Sequence, residues 1–342
     1  VPRAAWFENA GPDADVVVST RCRVARSLDG YAFPHRADSE TLTSVALLCR
    51  QALTGLDPTA TVLDREGLAD DVIRDLIVGR YVSFRWASDN RPGGVHVASS
   101  GTWSVMVNEE DHLRIQAVVA GFNPDLSLKP VTHLAESLER RLPVAHRTEM
   151  GYLTTSLSNV GTGMRLGFLL HVPMLAQDPS YLEALSAAEQ MGCAVRGAFG
   201  EGTRGTGALI QLSNRCTYGP GSRHSLDRVI AAARYLVERE REARGAFLAR
   251  AGGESDLKAA CDGARSMLLE SEPEPEDVLR CVSIIRLGMA LGATSGDILR
   301  TGEWMALAGA TLWARACGGP MAERFERVRS VARIRVGLRE RV

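Results

Sequence analysis

Apolar and polar positions alternate with a period of two from Val16 to Arg26. This predicts a strand with Cys22 and Val24 on one face and Arg21 and Arg23 on the other. Over residues 39–56 the period becomes helical, with Leu42, Val45, Cys49, Ala52 and Leu53 in one stripe. A second helical stretch follows at 67–78. Short runs at 81–86, 94–98 and 102–108 read as strands joined by Gly, Pro and Asn turns. Residues 112–120 continue as strand until Gly121-Phe122-Asn123-Pro124 breaks it, and 126–141 is helical. Beyond lie a β-like stretch at 152–157, a glycine turn at 158–163, a strand at 164–172, a helix at 181–192 and a strand at 208–212. Ser225 is placed to cap a long helix whose stripe is Leu226, Val229, Ile230, Ala233 and Val237. Residues 1–15 are polar, hold Gly11-Pro12, and read as a loop or arm.

The texture changes at 251–255. Four stretches, 255–270, 275–291, 296–317 and 321–340, are helical and are separated by Pro273, Pro275, Gly292 and Gly318-Gly319-Pro320. The chain therefore divides into an α+β part over 1–250 and an all-α part over 255–342. Trp304, Met305, Leu307, Leu312 and Trp313 give the second part enough apolar surface to suggest a dimer interface, the alternative being a core closed on itself.

With 342 residues, 45% hydrophobic, the chain can bury a sizeable core, and a net charge of −1 gives no sign of a nucleic-acid or membrane surface. Lys129 and Lys258 are the only lysines, so a Gly-Lys-Ser/Thr phosphate loop is excluded. The seven cysteines contain no Cys-x-x-Cys pair and read as reduced thiols, and with no leader or long apolar run the expectation is a cytoplasmic protein. Gly200-Glu201-Gly202-Thr203-Arg204-Gly205 fits G-x-G-x-x-G, but it leads into a strand, whereas the dinucleotide fingerprint opens a helix.

The chemistry concentrates in Val107-Asn108-Glu109-Glu110-Asp111-His112-Leu113-Arg114, where three acids close an apolar strand. Buried carboxylates are costly unless a cation meets them. Arg21, Arg23, Arg114, Arg165 and Arg196 sit in strand-like apolar surroundings, too many for those acids to neutralise. An anionic ligand rich in oxygen, a polyphosphate above all, fits such a set, because guanidinium forks match phosphate oxygens and stay charged at any ordinary pH.

These residues carry a resemblance. Ser19-Thr20-Arg21-Cys22-Arg23 with Ala25-Arg26-Ser27-Leu28, the stretch Asn108–Arg114, Ser158-Asn159-Val160-Gly161-Thr162-Gly163-Met164-Arg165, Arg196-Gly197 with Gly200-Glu201, and Ser213-Asn214 resemble, in order, the motifs of the ATP:guanidino phosphotransferases, the creatine and arginine kinase family. Within it, the likeness is greatest to the bacterial branch that phosphorylates arginine side chains of proteins. The resemblance implies an antiparallel sheet flanked by helices, a C-terminal helical dimerisation domain, and MgATP as donor. It implies that Arg21, Arg23, Arg114, Arg165 and Arg196 bind the nucleotide, with Ser19, Thr20, Gly197 and Gly200 of the same motifs and, on a looser alignment, Arg80. Glu110 and Glu201 would grip the acceptor guanidinium, Ser156 and Asn159 would line its pocket, and Glu109 would position Mg²⁺ through water without direct coordination. Protein substrates, a Clp-type protease, stress repressors and a homodimer are the implied partners.

Two departures stand out. Ser156 and Leu157 replace a cysteine and proline usual in the family, so weaker acceptor binding is expected. The tail sequence Glu323–Arg329 lacks the aspartate of an element that docks phosphoarginine in the related branch. The alternatives are a kinase for free arginine or another small guanidino compound and, from a different class, an inactive phosphoarginine-binding adaptor.

Overall fold

The computed structural model describes residues 1–197, 206–219, 222, 224–317, 334–335 and 337–338. Its centre is an eight-stranded antiparallel sheet in the order β2 (Thr61–Asp64), β3 (Gly94–Val97), β4 (Trp103–Val107), β5 (Leu113–Ala120), β1 (Val17–Arg26), β8 (Met164–His171), β10 (Leu209–Asn214) and β9 (Cys193–Gly197). A two-stranded hairpin, β6 (His146–Arg147) with β7 (Gly151–Tyr152), stands apart. Alternation along β1 works as expected: Cys22 and Val24 enter one core with Ile115, Leu166 and Phe168. Helices α1 (Ser39–Thr54), α4 (Pro124–Glu139), α5 (Tyr181–Gln190) and α6 (Ser225–Ala249) close over that face with their apolar stripes.

The opposite face has a second core. It joins Val18, Met106, Val118, Ala120, Leu169 and Leu209 of the sheet to α2 (Asp70–Val78), to α8 (Pro275–Ala290), and to α9 (Ile298–Cys317). The shorter α3 (Phe84–Ser88) contributes Trp86 to it. Helix α7 (Gly253–Glu270) packs on α8 through Leu257, Cys261 and Leu287. The tail is also fixed by polar bonds. Buried Arg286 of α8 donates to Ile298 O and Thr301 Oγ1, both at 2.9 Å, and to Ala14 O at 2.5 Å. Ser283 meets the ring of buried His171 at 2.8 Å.

Several expectations change. The arm at 1–15 is not free: Ala5–Phe7 forms a 3-10 turn that buries Trp6 and Phe7. The stretch 81–86 is not a strand, because the Ser83 hydroxyl accepts from Trp86 N and caps α3 instead. β-structure at 152–157 shrinks to Tyr152, and 157–159 is a 3-10 turn. Ser225 is the first helical residue of α6 rather than its cap, its hydroxyl donating to Ser222 O. Strand β2, short and only half buried, adds an element that the sequence pattern does not predict. Of the residues read as a dimer interface, Trp304, Met305 and Leu307 are buried within the chain's own second core and Leu312 packs partly buried against it, while the Trp313 side chain lies outside what the structure describes. The fourth tail helix falls almost wholly, and the Glu323–Arg329 departure wholly, outside the described residues, as does the 200–205 loop.

Candidate active site

Strand register decides which arginines meet. In the β1–β8 ladder Arg23 faces Arg165 and Arg21 faces Gly167, while in the β1–β5 ladder Arg23 faces Gln116 and Ala25 faces Arg114. Arg196 faces Gln211 of β10, which faces Leu169 of β8, and Leu169 faces Ser19. Cross-strand partners share a face. Hence Arg21, Arg23, Arg114, Arg165 and Arg196 all stand on one face of the sheet, the face that carries the second core. Among the described residues, Arg21, Arg23 and Arg165 have no carboxylate within ion-pair distance. The Nε atoms of Arg21 and Arg165 and the hydroxyl of Ser19 are buried without a hydrogen-bond partner. Burial, with Arg23 and Arg80 nearby, pulls Arg21 down to about 9. Burial, with Arg23 and Arg196 nearby, pulls Arg165 down to about 10. A like-charged pair directly across a ladder is unfavourable on its own. An oxygen-rich anion between these side chains would relieve both the repulsion and the orphaned donors.

Arg80 belongs to the same neighbourhood. Its backbone takes φ of 60°, its guanidinium lies 5.2 Å from the Trp6 ring centroid, and burial lowers it to about 10. Gln116 ties the group together. Its Oε1 accepts from Arg21, and its amide donates to Arg80 O at 2.7 Å, Tyr81 O at 2.9 Å and Ser104 Oγ at 3.0 Å. Thr20, by contrast, points away from this face and bonds Gly121 O at 2.5 Å.

The acidic run is the turn between β4 and β5. Asn108 enters it with φ of 53°, and its side-chain amide donates to Leu42 O at 2.8 Å and Pro92 O at 3.0 Å, which anchors the turn to α1. The three acids then diverge. Glu109 is buried, and both its oxygens are engaged: one accepts from Ser83 Oγ at 2.7 Å, the other from Glu110 N at 2.7 Å and from Arg114. Glu110 is the half-buried member, with the most accessible side chain of the three. Its nearest cation is Arg114 at 3.8 Å, and burial, with Asp111 and Glu109 beside it, raises its pKa. Asp111 is buried and accepts from Ser27 Oγ at 3.0 Å and Thr155 N at 2.7 Å. Nδ1 of His112 accepts Leu28 N at 2.9 Å, so Nε2 carries the hydrogen and donates to Ala32 O at 3.0 Å. Burial holds this ring at about 4, so it is neutral at pH 7 with both nitrogens committed to the backbone, a structural part and not a base.

A loop over 153–160 flanks the turn. Thr155 Oγ1 donates to the Glu110 backbone O at 2.7 Å, so the loop is bonded to the main chain of the residue whose carboxylate the sequence assigns to the acceptor. Ser156 pairs its hydroxyl with Ser158 at 2.8 Å, and Asn159 is buried. Gly197 ends β9 opposite Ile210. Glu201 and Gly200 lie outside the described residues.

Sequence reasoning gave no role to four contributors. Gln116 and Ser83 hold Arg21 and Glu109. Arg65, stacked 4.9 Å from the Trp86 ring centroid, donates to Asn108 O at 2.8 Å and braces the acidic turn. Arg26 lies 3.4 Å from the Tyr152 ring centroid, bonds Glu139 at 2.8 Å and donates to Thr162 O at 3.0 Å. A polar glutamine inside an apolar strand was the one signal that could have exposed Gln116. The others act through contacts distant in sequence.

Among the described residues no cluster of His, Cys, Asp and Glu is arranged to hold a metal directly, and no helix is long and apolar enough to cross a membrane. The face instead offers cationic donors for a nucleotide's phosphates and a carboxylate for a cationic acceptor.

Comparison with known proteins agrees. The family model of the ATP:guanido phosphotransferase C-terminal catalytic domain matches residues 46–243. Protein-arginine kinase of Shouchella clausii is 33% identical over 302 residues, 86% of this chain and 84% of that one. Protein-arginine kinase of Desulforamulus reducens is 36% identical over 255 residues, 72% of this chain and 70% of that one. The crystal structure of lombricine kinase superposes with a TM-score of 0.58 at 20% identity, covering 72% of each chain, a likeness of fold. With a family match over more than half of its length and relatives of this identity over most of it, the chain belongs to the ATP:guanido phosphotransferase family.

Proposed function

We propose that this protein transfers the γ-phosphoryl group of ATP to the guanidinium of arginine side chains in proteins. The observation that carries it is the pairing of an arginine face holding orphaned buried donors with an acidic turn whose one accessible carboxylate is Glu110. Two relatives named as protein-arginine kinases over most of their length direct the choice of acceptor. Arg21, Arg23, Arg165 and Arg196 would hold the phosphates and spread the charge of the group in transfer. Glu110, with Glu201 as its partner by resemblance, would align one guanidinium nitrogen with the γ-phosphorus. As the P–O bond to ADP breaks and the N–P bond forms, the nitrogen's proton passes to the Glu110 carboxylate. A pKa raised by burial suits an acceptor of that proton.

Magnesium arriving with the nucleotide would neutralise phosphate charge. Glu109, with both oxygens engaged, could contribute to its water shell only once Arg114 turns from it to phosphate. The same proposal includes a homodimer in the cytoplasm and a mark read by a Clp-type protease or by stress repressors. Incubation with MgATP and an unfolded protein, followed by mass spectrometry for acid-labile phosphate on arginine, tests it. Phosphate should appear with the wild type and vanish with Glu110→Ala. Phosphate on free arginine alone would overturn it.

A further inference from the structure

Beside the acceptor loop lies an open cavity of about 360 Å³. Its walls come from the β6–β7 hairpin, from Gly161 and Thr162, and from Thr217, Tyr218, Gly219 and Ser222. These pieces form the root of the loop that touches Glu110. Tyr152 and Gly161 bridge to close the base of 153–160. Thr162 N donates to Thr217 O at 2.9 Å, and Thr217 Oγ1 donates to Val160 O at 2.7 Å and Ser158 O at 3.0 Å. The backbones pack so closely that a Cβ on Gly161 would stand 2.2 Å from Thr217 O, so the trough is preformed.

Its lining has a particular chemistry. Tyr152, Tyr218, Met150, Thr162, Thr217 and Ser222 supply rings, a thioether and hydroxyls, while His146 and Glu149 are the one histidine and the one carboxylate among its described lining residues. Met150 is 43% exposed, Tyr218 50%, and Leu157, on the adjoining loop, 85%. Tyrosines with small hydroxylic residues give rigid contact area and adaptable hydrogen bonds, the combination that binds polypeptide of varied sequence, and methionine tolerates varied partners. Among the described residues no arginine or lysine lines the trough.

We infer that this trough binds the extended polypeptide flanking the target arginine, with the arginine side chain reaching along loop 153–160 to Glu110. The inference rests on the protein-substrate function proposed above and adds where the substrate chain lies. A free amino acid has no flanking chain to place there, so the trough contributes only to protein acceptors. An extended chain advances about 3.3 Å per residue, so a peptide extended by a few residues on either side spans the root of the loop.

The test uses the full-length protein with Met150→Ala and Tyr218→Ala combined, both at exposed positions. Acceptors are unfolded β-casein and a series of arginine peptides from N-acetylarginine methylamide to nonamers. In the wild type kcat/KM should rise with peptide length. In the variant that rise should flatten, and casein phosphorylation should lose about tenfold or more through KM. The methylamide and the KM for ATP should change less than about twofold. Equal losses for casein and methylamide would refute the trough by showing that these side chains only support the loop. Undiminished casein phosphorylation would refute the trough alone. A wild type that phosphorylates the methylamide but no casein would refute the protein-substrate function, and the trough with it.

Discussion

Replacing His112 by leucine isolates one buried imidazole that fastens the acidic turn. In the folded chain the ring titrates at about 4 against an ordinary 6.5, because burial disfavours its charged form. Between those values the unfolded chain binds the proton more readily. Stability from the neutral ring is therefore complete above pH 6.5 and is lost as pH falls through the folded value near 4. Going from about pH 7.5 to about pH 5, this group alone should cost roughly 2 kcal/mol. His112→Leu removes that contribution. It also leaves Leu28 N, now buried without its acceptor, at a cost of about 1–3 kcal/mol at neutral pH. Urea unfolding of both proteins at the two pH values forms a cycle in which His96 and His171, also depressed by burial, are common to both and cancel. The wild type should lose about 2 kcal/mol more on acidification than the variant. Equal losses would show that His112 does not hold the turn as a neutral acceptor.

Glu110→Gln should lower kcat by about 10²- to 10⁴-fold with the unfolding curve little changed. In the wild type, kcat/KM should fall as acid protonates this carboxylate, at a pH above the ordinary glutamate range because its pKa is raised; a limb at or below that range would count against its role. Gln116→Leu removes the acceptor that holds Arg21, a hydrogen bond to a charged group worth about 1.5–3 kcal/mol. The KM for ATP should rise about tenfold or more, with the acceptor KM unchanged; initial-rate measurements that show the reverse would reassign Arg21. Ser156→Cys should tighten acceptor binding by supplying a thiol that can ionise beside a guanidinium, and identical kinetics would show that the position does not touch the acceptor.

Local pattern carried far in this chain. The alternation through Val16–Arg26 and the stripes of α1, α4 and α6 are properties of neighbouring residues, and the elements they imply are present. The absence of a lysine loop and the run Glu109-Glu110-Asp111 point to chemistry on arginine and carboxylate. Where local signals misled, a long-range contact or a cap had the deciding effect. Ser83 turns 81–86 into the start of a helix, and Trp304, Met305 and Leu307 are buried in the chain's own second core.

The sequence by itself determined the kind of chemistry: permanent cations on strands, acids in a turn, and a helical tail. Only the tertiary structure decided their use. Cross-strand register set Arg23 against Arg165 and put all five arginines on one face. Contacts distant in sequence, Ser83 to Glu109, Ser27 to Asp111 and Leu28 to His112, divided an apparently uniform acidic run into an anchor, an accessible carboxylate and two structural parts. A residue's type fixes its charge and donors, but desolvation and partners depend on which segments fold against it.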